Sequence, residues 1–327
     1  MIDVRSRCAP ACASALVAAM ALAPAPTAHA AGGQLVVTGR EAEFDRWNYP
    51  FNQTPGTRGI ASTFGAVGAP GFDDRDAQFL LGFDTADAGV ATGRPLSDYQ
   101  IHSLSVTVTH STGAFAYDPT YDPIAGDSDA GKPIVLTGAG LRGGLDAFTF
   151  GSGTSTAYGE GSLFGDHGPT PFAPDAGDRS AFAAGFDQGG DLIDISNNVT
   201  QGLDINPWAV GQTSVAAGAF VPEATSGSSP GATFTFDLAG ALLDDDIRGY
   251  LQQGLADGGL FFTVSSLHAT TLAGGNIPMF YTADNADAAA VAPQISFDVT
   301  VVPEPVSAAT VATGLALTLV RRPRRRG

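Results

Sequence analysis

The sequence predicts an all-β protein: one elaborated antiparallel β-sandwich, jelly-roll-like, with one short helix. Three observations carry this. Several segments alternate apolar and polar residues with period two, the mark of a strand with one buried face. Gly, Pro, Asn and Asp punctuate the gaps between those segments. The composition, with 42 Gly, 20 Phe and Lys132 as the single lysine, is that of strands joined by turns.

The clearest alternation runs over 101–110. It sets His102, Leu104, Val106, Val108 and His110 on one face and Ser103, Ser105, Thr107 and Thr109 on the other. Ile295, Phe297, Val299 and Val301 alternate with Ser296, Asp298 and Thr300, and Phe234, Phe236 and Leu238 with Thr235 and Asp237. Segments 34–38, 78–84, 134–137, 191–195 and 260–267 are further expected strands. The helix is expected where Asp244, Asp245 and Asp246 supply caps and favourable charge at its start. Ile247, Tyr250 and Leu251 form its apolar face, and Gly254 is the expected stop. Residues 151–190, rich in Gly, Pro, Asp and Ser, are expected to form a long loop. No period typical of solenoids or propellers occurs.

Both ends read as signals rather than as parts of the sandwich. Arg5 and Arg7 precede an apolar stretch over 9–25, and Ala28-His29-Ala30 gives the small-x-small pattern for cleavage, so residues 1–30 are an expected signal peptide. The sandwich then occupies 31–300. The last segment, 301–327, has three parts in order: Pro303-Glu304-Pro305, an uncharged stretch over 306–320, and the basic cluster Arg321, Arg322, Arg324, Arg325 and Arg326, interrupted by Pro323. Apolar residues followed by arginines halt in a membrane with the basic end in the cytoplasm. Fifteen residues fall short of the ~20 needed to span comfortably, which suits a transient anchor.

This tripartite end resembles the PEP-CTERM sorting signal, which a membrane peptidase-transferase called exosortase recognises. The resemblance implies exosortase and the secretion machinery as partners and cleavage near Pro303-Glu304-Pro305. It also implies a place at the cell surface or outside it, with transient or retained membrane anchoring, often in bacteria that make exopolysaccharide. Within the ectodomain, the order of segments 78–84, 101–109, 247–255, 258–262 and 293–299 resembles secreted β-sandwich modules of the DNRLRE type, which sit near carbohydrate-binding domains. The interior 111–240 fits that pattern poorly.

Residues 31–303 carry nine Lys and Arg against 31 Asp and Glu, a net charge of −22. Such a surface repels phosphate backbones and anionic membranes, which excludes nucleic acid as a partner. It favours cations, Ca²⁺ above all outside the cell. Asp118, Asp122, Asp127 and Asp129 share one Pro/Gly-rich loop and are the candidate Ca²⁺ ligands. Asp73, Asp74 and Asp76, and Asp284, Asn285 and Asp287, form two other acidic loops. No other cofactor is expected. The two cysteines, Cys8 and Cys12, lie in the signal peptide, so the ectodomain has no disulfide, thiolate site or Cys nucleophile.

Gly138-Ala139-Gly140-Leu141-Arg142-Gly143 spells a dinucleotide-binding fingerprint, but no helical periodicity follows it, and a Gly-rich turn explains it. Gly227-Ser228-Ser229-Pro230-Gly231 spells a nucleophile elbow, but a strand, not a helix, is expected after it. The histidines lack zinc-site spacing. With 28 Asp in the chain, paired carboxylates carry no information about glycoside chemistry. Trp47 and Tyr49, on one face of a strand, are the candidate sugar-stacking pair, a core stripe being the alternative; Trp208 could join them. The reading is therefore a non-enzymatic, exported matrix or surface protein that binds or organises exopolysaccharide. A secreted carbohydrate-active lyase or hydrolase and a ligand-free structural envelope protein are the alternatives.

Overall fold

A computed structural model describes residues 33–49, 58–65, 77–121, 132–162, 180–196, 206–268, 277–287 and 290–302. Its first strands are β1 (Gln34–Glu41), β2 (Phe44–Asn48), β3 (Ile60–Ser62), β4 (Gln78–Asp84) and β5 (Tyr99–Thr112). The middle of the chain supplies β6 (Val135–Leu141), β7 (Ala147–Phe148), β8 (Ala157–Tyr158), β9 (Ala181–Phe186), β10 (Leu192–Asp194) and β11 (Ala209–Val210). Then come β12 (Thr233–Asp237), helix α1 (Asp245–Asp257), β13 (Gly259–Ser265), β14 (Met279–Tyr281) and β15 (Gln294–Val301).

Apart from β7 and β8, which pair parallel with each other, these strands make two antiparallel sheets. One runs β1-β15-β5-β14-β3, with β12 also on β5; the other runs β10-β9-β6-β13-β4-β2, with β11 on β6. Strand β5 is the hub of the first sheet. Its residues 105–107 pair with both β12 and β15, so those strands flank it on opposite edges. One apolar layer fills the space between the sheets: Leu104, Val106, Phe234, Phe236 and Phe297 from the first meet Phe79, Leu81, Phe83, Phe262 and Val264 from the second. The all-β sandwich read from the sequence is therefore the fold.

Strand β12 alternates buried and exposed residues throughout and β15 buried and half-buried ones, as their sequence pattern predicts. Strand β5 departs from it. A bulge between Asp298 and Val299 in the pairing with β15 shifts the register, so Val299 pairs with Ile101 and Phe297 with Leu104. An extra residue in one strand flips the side chains beyond it. His102 is consequently exposed and bonds Thr300 Oγ1 at 2.9 Å, while His110 is fully buried.

Helix α1 starts as predicted, with the Asp244 carboxylate accepting from the amides of Asp246 and Ile247. Its stop is not Gly254 but Gly258, which takes the left-handed conformation at φ 93°. Gly254 lies inside the helix because α1 packs closely on β13: a Cβ there would come within 2.7 Å of the Gly259 carbonyl oxygen. Leu251 and Leu255 enter the main core.

Two glycine-rich segments read as loops prove to be strand. Segment 138–141 belongs to β6 rather than to a turn; the turn follows, at Gly143 and Gly144, both with positive φ. Gly138 is glycine because the buried Trp208 ring lies over it, 2.4 Å from where a Cβ would stand. Likewise, residues 181–186 of the expected 151–190 loop form β9, paired with β6 and β10.

Gly138→Ala drives a methyl group into a ring that cannot move, and such overpacking costs about 1–3 kcal/mol. Gly240, with φ −68° and no atom within 4 Å of an added Cβ, is the control. Urea unfolding is expected to show a loss for Gly138→Ala and no loss for Gly240→Ala.

Candidate functional site

Strands β2, β4, β6, β9 and β13 of the second sheet are buried on both faces, which their sequence explains. In β4, Phe79, Leu81 and Phe83 face the inter-sheet core, and Leu80 on the opposite face is 1% exposed. Across three strands of that outer face, Phe44 of β2 and Phe261 of β13 both pair with Gly82. A Cβ at Gly82 would lie 2.5 Å from the Phe261 ring, so the glycine makes room for it. An apolar patch of this kind needs a cover. Residues 142–162, including β7 and β8, supply it by packing Leu145, Phe148, Phe150 and Tyr158 on Phe44, Leu80 and Phe261.

The cover does not close completely. Between it and α1 runs a half-open cleft of about 500 Å³. That volume lies within the range of small-ligand sites, roughly 300–1,000 Å³. Its aromatic wall is a stack: Phe148 and Phe150 lie nearly parallel to Phe261, with centroids at 4.4 and 5.2 Å. All three rings are partly exposed. The polar groups are Asp146 on the cover and Gln253 and Asp257 on α1. Phenyl faces beside hydrogen-bonding carboxylates and an amide form the surface that a sugar ring presents itself to: apolar C–H faces on the rings, hydroxyls on the acceptors.

A second cluster anchors the cover. Asp45 of β2, Glu160 and Asp284 bring a carboxylate oxygen each within 4.8 Å of one another. Asp45 is 4% exposed and accepts from the Ala283 amide at 2.5 Å. Burial pushes its carboxyl up to about 8, and the nearby Glu160 and Asp284 charges push the same way against the Ala283 hydrogen bond. Burial raises Glu160 as well, although the hydrogen bonds it accepts from Asp45 oppose this. One shared proton, held on Asp45 and donated to Glu160, satisfies the pair. Beside them the buried Arg46 donates from Nη1 to the Glu160 carbonyl at 2.5 Å, and its guanidinium lies 4.9 Å from the Tyr158 ring centre.

The residues singled out from sequence fall elsewhere. Trp47 and Tyr49 do share a face, but they stack on each other at 4.5 Å and pack on Phe64, Ala77 and Ile277. Arg58 lies over Trp47, whose indole donates to the Ser62 carbonyl. This is the core-stripe alternative. Trp208 is buried between the sheets. Asp118 accepts from the Thr120 amide, and Asp122, Asp127 and Asp129 lie outside the described residues, as do Asp73, Asp74 and Asp76, Ala28 and Ala30, and all of 303–327. Asp287 fixes the 225–229 turn through the Ser226 hydroxyl and Gly227 amide. Among the described residues no helix is long and apolar enough to cross a membrane. No protein-family model matches the chain, and no curated protein matches it.

The Asp45 shift has a definite sign. The folded carboxyl binds its proton up to about pH 8 and the unfolded one only to about 3.8, so stability falls as pH rises between them. Asp45→Asn keeps the neutral shape and removes the titration. Melting curves are expected to show the wild type losing ~1.4 kcal/mol per pH unit, relative to Asp45→Asn, between pH 5 and 7.

Proposed function

We propose that this is an exported, non-enzymatic surface or matrix protein that binds exopolysaccharide through the cleft between the 142–162 cover and α1. The observation that carries the reading is the stack of three partly exposed phenyl rings beside Asp146, Gln253 and Asp257. Export and sorting rest on the sequence at Ala28-His29-Ala30 and at Pro303-Glu304-Pro305 with its apolar and arginine segments. The secretion machinery then delivers a sandwich of net charge −22 to the cell exterior, and exosortase cuts its sorting signal near Pro303-Glu304-Pro305.

The second reading, a secreted hydrolase, is favoured by one observation: Asp146 and Asp257 line the same cleft. Calcium enters through the acidic loops, as a tie that would hold the fold or the glycan. Both are decided by the same experiment as binding.

The protein, purified after export, is sedimented with insoluble and gelled polysaccharides, including the producer's own matrix, in Ca²⁺ and in EDTA. Saturable retention without loss of polymer chain length is expected. Phe148→Ala, checked for an unchanged melting temperature, should weaken it about tenfold, since an aromatic contact contributes about 0.5–1.5 kcal/mol beyond the area it buries. Shortening of the polymer would instead establish the hydrolase. Loss of retention in EDTA would give Ca²⁺ a part in binding. No retention under any condition would sink the binding reading.

A further inference from the structure

The charge and hydrogen-bonding character of the cleft narrow what it can hold, given the binding reading above. Its two charged side chains, Asp146 and Asp257, are both exposed carboxylates. Among the described residues no cation of the elements around the cleft is left to oppose them. Arg142, the one cation of the cover, pairs with Asp194 at 2.9 Å and lies over the Phe182 ring. Arg248, the one cation of α1, binds Asp245 and the Leu242 carbonyl. The other elements lining the cleft, β6, β10 and β13, contain neither Lys nor Arg.

The neutral polar groups add acceptors and few donors. Gln253 Nε2 donates one of its two N–H groups to Asp257 Oδ2 at 2.9 Å, leaving one amide N–H to donate against the Gln253 carbonyl and the carboxylate oxygens of two aspartates to accept. The Tyr250 hydroxyl lies 2.9 Å from the Ala139 and Phe261 carbonyls and accepts from the Ala139 amide, so it has nothing to offer a ligand. A ligand that fits must bring donors to these acceptors and an apolar face to the rings. An anionic ligand brings acceptors and like charge, the arrangement that discriminates against a wrong partner.

We infer that the cleft takes a glycan segment that is uncharged or bears amino groups, and rejects segments bearing uronate or sulfate. Hydroxyls and ammonium groups donate to Asp146, Asp257 and Gln253, while the axial C–H face of a pyranose lies on the phenyl wall. The protein therefore engages the neutral or amino-sugar component of a matrix.

The test is calorimetric titration with cellohexaose, a chitosan hexamer and a galacturonate hexamer, in EDTA and at near-physiological salt. At a Debye length of about 8 Å the net charge of the protein is screened, so discrimination reports the carboxylates of the cleft itself. Binding of cellohexaose or the chitosan hexamer at least tenfold tighter than the galacturonate hexamer is expected. The double variant Asp146→Asn, Asp257→Asn should lose most of that preference. Equal binding of the galacturonate hexamer by the wild type would overturn the inference while leaving the binding reading intact. So would an unchanged preference in the double variant. Failure of all three to bind, in EDTA and in Ca²⁺ and with the protein folded, would overturn this inference, while the sedimentation assay with the matrix decides the binding reading separately.

Discussion

The two sheets are held face to face by side-chain packing, helped at their edges by the backbone bridges Phe64–Ala77 and Gln212–Thr235, and the chain has no cysteine beyond Cys12 to staple them. The layer between them is largely aromatic. Phe79 of one sheet stacks on Phe280 of the other at 6.5 Å, Phe280 meets Phe234 edge-on, and Trp208 meets Phe262. Each fully buried ring of this kind contributes on the order of 2–3 kcal/mol. Large rings demand space in a close-packed interior. The chain provides it with glycine: Trp208 over Gly138, Phe182 over Gly140, Phe261 over Gly82. At these three positions glycine is packing rather than turn chemistry.

The same exchange of side chains between neighbours shapes the outer face of the second sheet. Because Gly82 leaves a depression, Phe261 can lie low enough for Phe148 and Phe150 to stack on it. The rings stay partly exposed because α1, anchored by Leu251 and Leu255 in the core, stands beside the cover rather than beneath it. A cleft with an aromatic wall and an acidic rim follows from those two placements.

Legibility from sequence divides along the same line. Strands β5, β12 and β15 were readable because one of their faces meets solvent, which forces period two. Strands β4, β6 and β9 have both faces covered, so their segments read as continuous apolar or small residues, and 138–141 and 181–186 passed for loop. The bulge that exposes His102 left no local signal. Of the anchoring cluster, Asp45-Arg46 was readable in principle: adjacent charges inside the aromatic segment 44–49 need partners on both faces of a strand. Glu160 and Asp284 were not, since only long-range register brings them to Asp45. The cleft aromatics Phe148 and Phe150 lie in a segment without periodicity, whereas Trp47 and Tyr49, which looked like a platform, pack on the buried cluster of Phe64, Ala77 and Ile277.

The cluster and the cleft are one mechanical unit. The cover has little structure of its own: β7 and β8 pair through two residues each. Its place is set from outside, by the Arg142–Asp194 pair at its start and by Tyr158 and Glu160 on Arg46 and Asp45 near its end. Phe148 and Phe150, the wall of the cleft, hang between those anchors. Ionising Asp45 sets its buried charge against that of the half-buried Glu160 at the far anchor.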